Sequence, residues 1–274
     1  MSTVGTIVRK EVRDAAASRW LLLYAGLFAV LSSGMAYLGY RNLGSVGFDN
    51  FSRTTAGLLN LCLLLAPLLA LVIAAGSIAG ERERGNLTYL LSQPLHRWEL
   101  LLGKFAGLSL AIGLATIAGF GIGGLFIALF ASTMQAGTYL LLLVLVLALV
   151  AVMTGIGLAA SVVSTTRIQA AGLAIVIWFT AVLFFDLVLI GMVSSTSLGG
   201  FGLLAALLLN PVEIVRVLAI IHLEPDLQVL GPFGSFLMEE VGKAGASAIL
   251  ALALAVWVIV PLTAAAWLFE RRET

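Results

Sequence analysis

Apolar residues run almost unbroken for about 20 positions at a time in six places, and the charged residues gather between those runs. The runs lie near residues 20–40, 56–79, 105–130, 139–163, 170–193 and 247–269. A bilayer core roughly 30 Å thick is crossed by about 20 residues of helix, so each run predicts a transmembrane helix. Open strands would leave backbone groups unpaired in lipid, so helix is the only local structure these runs can adopt there.

Two further patterns are shorter. Ahead of the first run, Val4, Ile7, Val8, Val12 and Ala15 recur at helical spacing, while Arg9, Lys10, Arg13 and Asp14 take the other side. This predicts an amphipathic helix over residues 1–19 lying in the membrane interface. The plainer alternative is a basic leader that only sets orientation. No basic start followed by a short apolar core and a small-residue cleavage site is evident, so the first span is expected to stay in the mature protein. Between the fifth and sixth runs, residues 194–246 form the one long stretch without a span. Its leucine run at 203–209 should stop at Asn210, because the residue before Pro211 is pushed out of the α region. A second short helix over 212–221 can follow, with Pro211 in its first turn.

The expected fold is therefore an all-α polytopic membrane protein. It has six transmembrane helices within residues 20–274, the interfacial helix at 1–19, a cytoplasmic coupling helix within 80–104, and short outer-face helices within 194–246. Composition agrees: 61% of the 274 residues are hydrophobic, 11% are charged, and mean hydropathy is +1.11. A net charge of +1 gives no field suited to a nucleic acid, so none is expected as a partner.

An even number of spans puts both termini on one side. Placing them in the cytoplasm leaves Arg41, Arg53, Arg216 and Lys243 as the only four outside basic residues, against eleven inside. Trp20 and Trp267 then fall at the inner interface, with Tyr37, Tyr40 and Tyr139 at the outer one.

Candidate chemistry is sparse. His96 and His222 fall on opposite sides, so no histidine–carboxylate metal cluster is expected, and neither a Gly-x-Ser-x-Gly elbow nor a His-Glu-x-x-His helix is present. Gly103-Lys104 lacks the glycine-rich loop that cradles phosphates, so any nucleotide would be bound by another polypeptide. Cys62 lies in an apolar run as ordinary packing. Met134, Met192 and Met238 fall near the outer face; thioethers suit Cu(I), yet scattered methionines usually fill cores. Asp186 is the one carboxylate clearly within a span, where it either bonds a neighbouring helix at the hydrated edge or serves a substrate. Gly103 with Gly107, Gly119 with Gly123, and Gly155, Gly157, Ala159 and Ser161 supply small faces for close helix packing.

The segment from Gly80 to Arg97 stands out between two spans. Glu81, Arg82, Glu83 and Arg84 alternate in sign, Leu87, Leu90 and Leu91 share a helical face, and Pro94 ends the turn. Mixed charge beside a short leucine face suits docking into a groove on a soluble partner; the alternative is an ordinary loop whose charges fix topology.

Gly80-Glu81-Arg82-Glu83-Arg84-Gly85, Leu90-Leu91-Ser92-Gln93-Pro94 and Leu102-Gly103-Lys104 together resemble the coupling segment of permeases of type-2 ABC transporters. The likeness takes in the six spans, the amphipathic leader and the long segment before the last span. Asn210-Pro211-Val212-Glu213-Ile214-Val215-Arg216 is further similar to the subgroup of such permeases that serves maturation of nitrous-oxide reductase. The resemblance implies a non-catalytic subunit that pairs with a second copy of itself in a bacterial inner membrane. It also implies a cytoplasmic ATPase dimer, which carries the ATP and Mg, and a periplasmic β-helical accessory protein, with a periplasmic copper chaperone as a further partner. By position, Glu81, Arg82, Glu83, Arg84, Leu87, Leu90, Leu91 and Arg97 would meet the ATPase, and Asn210, Pro211, Glu213, Arg216, Glu224 and Asp226 the outer partner. The same family fold would serve an exporter of lipid, drug or peptide. A stand-alone ion-coupled carrier is disfavoured by the single buried carboxylate.

Overall fold

The computed structural model describes residues 3–42, 49–87, 96–130, 133–195, 199–223 and 231–271. Every regular element among them is helical: α1 (Thr3–Ala16), α2 (Arg19–Asn42), α3 (Asp49–Glu83), α4 (Arg97–Phe130), α5 (Thr133–Val163), α6 (Arg167–Phe179), α7 (Phe185–Ser195), α8 (Gly200–Leu208), α9 (Pro211–Leu223), α10 (Pro232–Phe236) and α11 (Lys243–Arg271). A π-turn at Thr180–Phe184 joins α6 to α7. Five stretches are long and apolar enough to cross a membrane, within α3, α4, α5, α6–α7 and α11; α1 and α2 qualify only together, as a pair bent by 66°. The chain is thus a membrane protein with five or six spans. Tyr40 and Met134 stand in α2 and α5, while Glu224 and Asp226 lie outside the described residues.

The helices are longer than the apolar runs because their polar ends continue past the hydrocarbon. α3 carries its helix through Glu83 and is closed by Gly85, whose φ of 72° lets its N–H reach the Arg82 carbonyl at 3.0 Å. Glu81, Arg82 and Glu83 of the charged segment are therefore the last turn of α3. Leu90, Leu91 and Pro94 lie outside the described residues.

α3 and α5 form the centre of the bundle. They meet at Gly157, where a Cβ would stand 2.8 Å from both the Ala74 Cβ and the Leu71 carbonyl oxygen. One turn on, Ser161 Oγ accepts from the Ile78 and Ala79 amides at 2.9 Å each. α4 packs on α2 through Gly119, which lies against Phe28, and Ser32 Oγ donates to the Gly119 carbonyl at 2.9 Å. Trp20 and Tyr37 are exposed on α2 and Trp267 on α11, as lipid-facing rings would be. Tyr139, expected at the outer interface, turns inward among the helices: it is buried against Phe120, rings 5.1 Å apart, and its hydroxyl donates to the Phe120 carbonyl.

The region before the last span folds as two short helices. α8 stops at Leu208, Asn210 Oδ1 accepts from the Val212 amide, and α9 begins at Pro211. α9 is buried on most sides against α5, α11, α8 and α3. The turn is anchored by the Trp257 indole, which donates to the Leu208 carbonyl at 3.0 Å, and by the Asn210 amide, which donates to Ala181 in the π-turn at 2.6 Å.

Candidate functional site

Charged side chains collect at two ends of the bundle. At the α1 end, Lys104 on α4 is 1% exposed, and its Nζ lies 2.8 Å from Glu11 Oε1 and 2.9 Å from Glu81 Oε1. Lys10 Nζ stands 3.1 Å from Glu81 Oε1 and 3.5 Å from Glu11 Oε1, so two ammonium groups face two carboxylates. A buried charge is tolerated only when paired and hydrogen-bonded, which this arrangement supplies. Partial burial pulls the Lys10 ammonium down, but Glu81, Glu11 and Asp14 outweigh it and hold Lys10 above its ordinary pKa.

The cluster exists because α1 lies directly on α4. A Cβ on Gly103 would meet Ile7 Cγ2 at 2.7 Å, and one on Gly107 would meet Glu11 Cβ at 2.6 Å and the Val8 carbonyl at 3.1 Å. Only glycine at these two positions lets the helices approach closely enough to set Glu11 beside Lys104.

The other residues of the charged segment mostly tie helix ends together. Arg82 donates to the carbonyls of Val162 and Ser164 at the end of α5. Glu83 accepts from the Arg167 amide at 2.8 Å, the first N–H of α6. Arg97 donates to the Phe269 and Glu270 carbonyls at the end of α11 and stacks its guanidinium 5.6 Å from the Phe269 ring. Leu87 is buried against the same cluster as Phe269 and Leu100. Of the eight residues singled out from the sequence for the ATPase contact, Glu81 and Leu87 are therefore inside, Arg82 and Arg97 anchor neighbouring helices, and Glu83 and Arg84 keep exposed side chains. The sequence reading missed Lys10, Glu11 and Lys104 as a unit. A signal was present: Glu11 is four residues from both Ile7 and Ala15, an acid on the apolar face of α1, and Lys104 interrupts an apolar run between two glycines.

At the opposite end, Arg216 Nη1 lies 3.0 Å from both oxygens of Asp186 and 2.8 Å from Glu213 Oε1. Asp186 thus bonds a neighbouring helix, one arginine bridging α7 and α9. The Glu213 contact is electrostatic, without an aligned hydrogen bond at Oε1. Burial, with Asp186 beside it, pushes the Glu213 carboxyl up to about 8 against the pull of Arg216. Asn210, Pro211 and Glu213 are buried within the chain, so they support the outer helices from inside, while Arg216 and Asp186 remain partly exposed. Met238 is exposed and sits in the π-turn after α10. Among the described residues no group of three or more His, Cys, Asp or Glu is arranged to hold a metal ion.

Residues 5–274 match the family described as ABC-2 family transporter protein. The chain is 37% identical over 281 residues to the "Probable ABC transporter permease protein NosY" of Stutzerimonas stutzeri, with all of both chains covered. It is 39% identical over 281 residues to the protein of the same name from Pseudomonas aeruginosa, with 99% of each covered. An apolar bundle of five or six candidate spans and a full-length match place this chain in the ABC-2 transporter family, whose members are membrane subunits of ABC transporters.

Proposed function

We propose that this chain is the permease subunit of an ABC machine that serves assembly of the copper centres of nitrous-oxide reductase. The observation that carries the reading is the end-to-end match, at 37% and 39% identity, to two proteins named as NosY permeases. The subunit sits in a bacterial inner membrane with six spans and both termini cytoplasmic, α1 lying in the inner interface. A second copy completes the membrane part, and a separate ATPase pair docks at the α1 end. A periplasmic accessory protein of β-helical type, with a copper chaperone as a further partner, meets the opposite end.

The geometry supports a relay of motion. The end of α3 offers Glu83, and the turn after it Arg84, to a soluble partner, and the ion pairs of Glu81 make that end one body with α1 and α4. α3 packs along α5, and α5 and α11 carry α9 at the far end. A push at Arg84 therefore reaches Arg216 through packed helices, without a loose joint between. A bare ion would find little to pair with along such an apolar interior, which favours motion relay or a ligand-shielded cargo.

The deciding experiment is purification of the tagged chain from native membranes, with identification of companion subunits and an ATPase assay. A Walker-A subunit together with a periplasmic β-helical protein is the expected result. An ATPase alone would reassign the chain to a general exporter of lipid, drug or peptide, and no ATPase would restore the stand-alone carrier.

A further inference from the structure

A cleft of about 570 Å³ opens at the α1 end between the α1–α2 elbow and the faces of α3 and α6. Its chemistry is divided. Leu69, Val72 and Ile73 of α3, all half-buried, give it an apolar wall, whereas Arg84 and Arg167, which also line it, are exposed. Three acids line it as well, but the two lysines already meet them. Lys104 is within 2.9 Å of Glu81 and 2.8 Å of Glu11, and Lys10 is within 4.0 Å of Asp14. Neither guanidinium group has a carboxylate within 4 Å among the described residues; Glu83, next to Arg84 in the chain, spends an oxygen on the Arg167 backbone N–H.

Arg167 is held in place. Its side chain runs over the bare surface of Gly76 and Gly80, where a Cβ on Gly76 would stand 3.3 Å from its Nε. Its backbone N–H is fixed by Glu83. Next to Gly76, Ser77 lines the same cleft, and its buried Oγ has no hydrogen-bond partner. Two guanidinium groups and a waiting hydroxyl above an apolar wall form a receptor for a group with an anionic head and a hydrocarbon tail. The wall from Gly76 to Leu69 is about 10 Å of helix, enough to seat half an acyl chain.

We propose that this cleft binds one anionic phospholipid, its phosphate on Arg167 and Arg84 and its glycerol or phosphate oxygen on Ser77, with one acyl chain along Val72 and Ile73. The lipid would wedge α1 against α3 and α6, so the element that the ATPase contacts is tuned by the leaflet beside it. Only the identity of that leaflet, the cytoplasmic one, rests on the orientation proposed above; binding itself does not.

The test is native mass spectrometry of the delipidated complex, titrated with dioleoyl phosphatidylglycerol, dioleoyl phosphatidylcholine or inorganic phosphate. The expected result is one phosphatidylglycerol per chain, retained at least about fivefold better than phosphatidylcholine. Arg167→Ala should remove that preference and Arg167→Lys should keep part of it, with unchanged elution and thermal transition in lipid-free detergent. Ile73→Trp fills the apolar wall and should expel the lipid with both arginines intact, which keeps the proposal testable if Arg167→Ala misfolds. Equal retention of the two lipids, or undiminished retention in both variants, overturns it. Displacement by inorganic phosphate at equal concentration reassigns the site to a free anion, and a disulfide between copies carrying Ile73→Cys on a Cys62→Ala background gives the cleft to a second copy. Because lipid is counted without reference to ATPase partners, failure here and failure of the permease reading are separate outcomes.

Discussion

Lys104 and Glu11, 93 positions apart in the chain, meet at 2.8 Å with the lysine almost fully buried. Their pairing locks α1 to α4 where Gly103 and Gly107 let the two helices touch. Replacing Lys104 by Met leaves Glu11 and Glu81 facing each other with only Lys10 to compensate. Removing one partner of a buried ion pair typically costs about 3–5 kcal/mol. A Lys104→Met variant should therefore lower the thermal transition of the purified protein sharply, and adding Glu11→Gln and Glu81→Gln should recover most of the loss. An unchanged transition in the single variant would mean that the cluster contributes nothing to holding α1.

The glycines beneath α1 give a second handle on the same joint. Gly107→Ala places a methyl where Glu11 Cβ and the Val8 carbonyl already stand, so α1 must lift from α4. Overpacking of this kind costs about 1–3 kcal/mol. Gly172→Ala on α6 meets nothing within 4 Å and should be neutral or slightly stabilising. Proteolysis of the α1–α2 elbow at Arg13 and Arg19 reports the difference directly, faster in Gly107→Ala and unchanged in Gly172→Ala.

The sequence made the helices legible because lipid leaves the backbone few choices, and the Asn210-Pro211 break predicted both α8 and α9. What it hid were relationships between distant residues. Lys104 reads as a topological charge until α1 is laid over Gly103 and Gly107, and Tyr139 reads as an interfacial ring until Phe120 is placed beside it. The π-turn at Thr180–Phe184 has neither glycine nor proline to announce it. Its reason is tertiary: the Ala181 carbonyl is turned to the Asn210 amide. In the sequence, Asn210, Pro211 and Glu213 stand as outer contacts only through the family resemblance and their position between the last two spans. Within the chain they fasten α9 from inside.

That fastening is testable at Asn210. Its side chain donates to the Ala181 carbonyl and accepts from the Val212 amide. Asn210→Ala leaves both groups unpaired in a buried place, at about 1–3 kcal/mol for an unmet buried group. Asn210→Asp keeps the cap on Val212 but presents an acceptor to the Ala181 carbonyl. Both variants should unfold earlier than the parent, and hydrogen exchange should localise the loosening to α9 and the π-turn.

Arg84 is an accessible probe of the proposed ATPase contact, because its side chain is exposed and its Nε donates to the Gly80 carbonyl in the last turn of α3; Arg167→Ala, which removes the other proposed phosphate contact, is the control for lost lipid. Glu81 is a poor probe, since changing it disturbs the buried cluster. Arg84→Glu should leave the membrane subunit folded and assembled while weakening ATPase coupling and reductase maturation. Normal maturation with normal hydrolysis in that variant would remove Arg84 from the coupling face.

The Asp186–Arg216–Glu213 group predicts a pH dependence of definite sign. Glu213 is raised from 4.5 to about 8 in the folded chain, chiefly by burial, so the folded state holds a proton that the unfolded chain gives up near pH 4.5. The stability this confers is fully present below about pH 4.5 and is lost as pH rises towards and through about 8. Above that point the ionised Glu213 carboxylate stands beside the Asp186 carboxyl with one arginine between them, which strains the link between α7 and α9. Glu213→Gln fixes the neutral form. It should flatten the fall in thermal stability between pH 5 and 8 and make the variant the more stable protein at pH 8.5, with little difference at pH 5. If parent and variant trace the same curve, Glu213 ionises as freely in the bundle as in the unfolded chain, and the α7–α9 link is not a proton-dependent one.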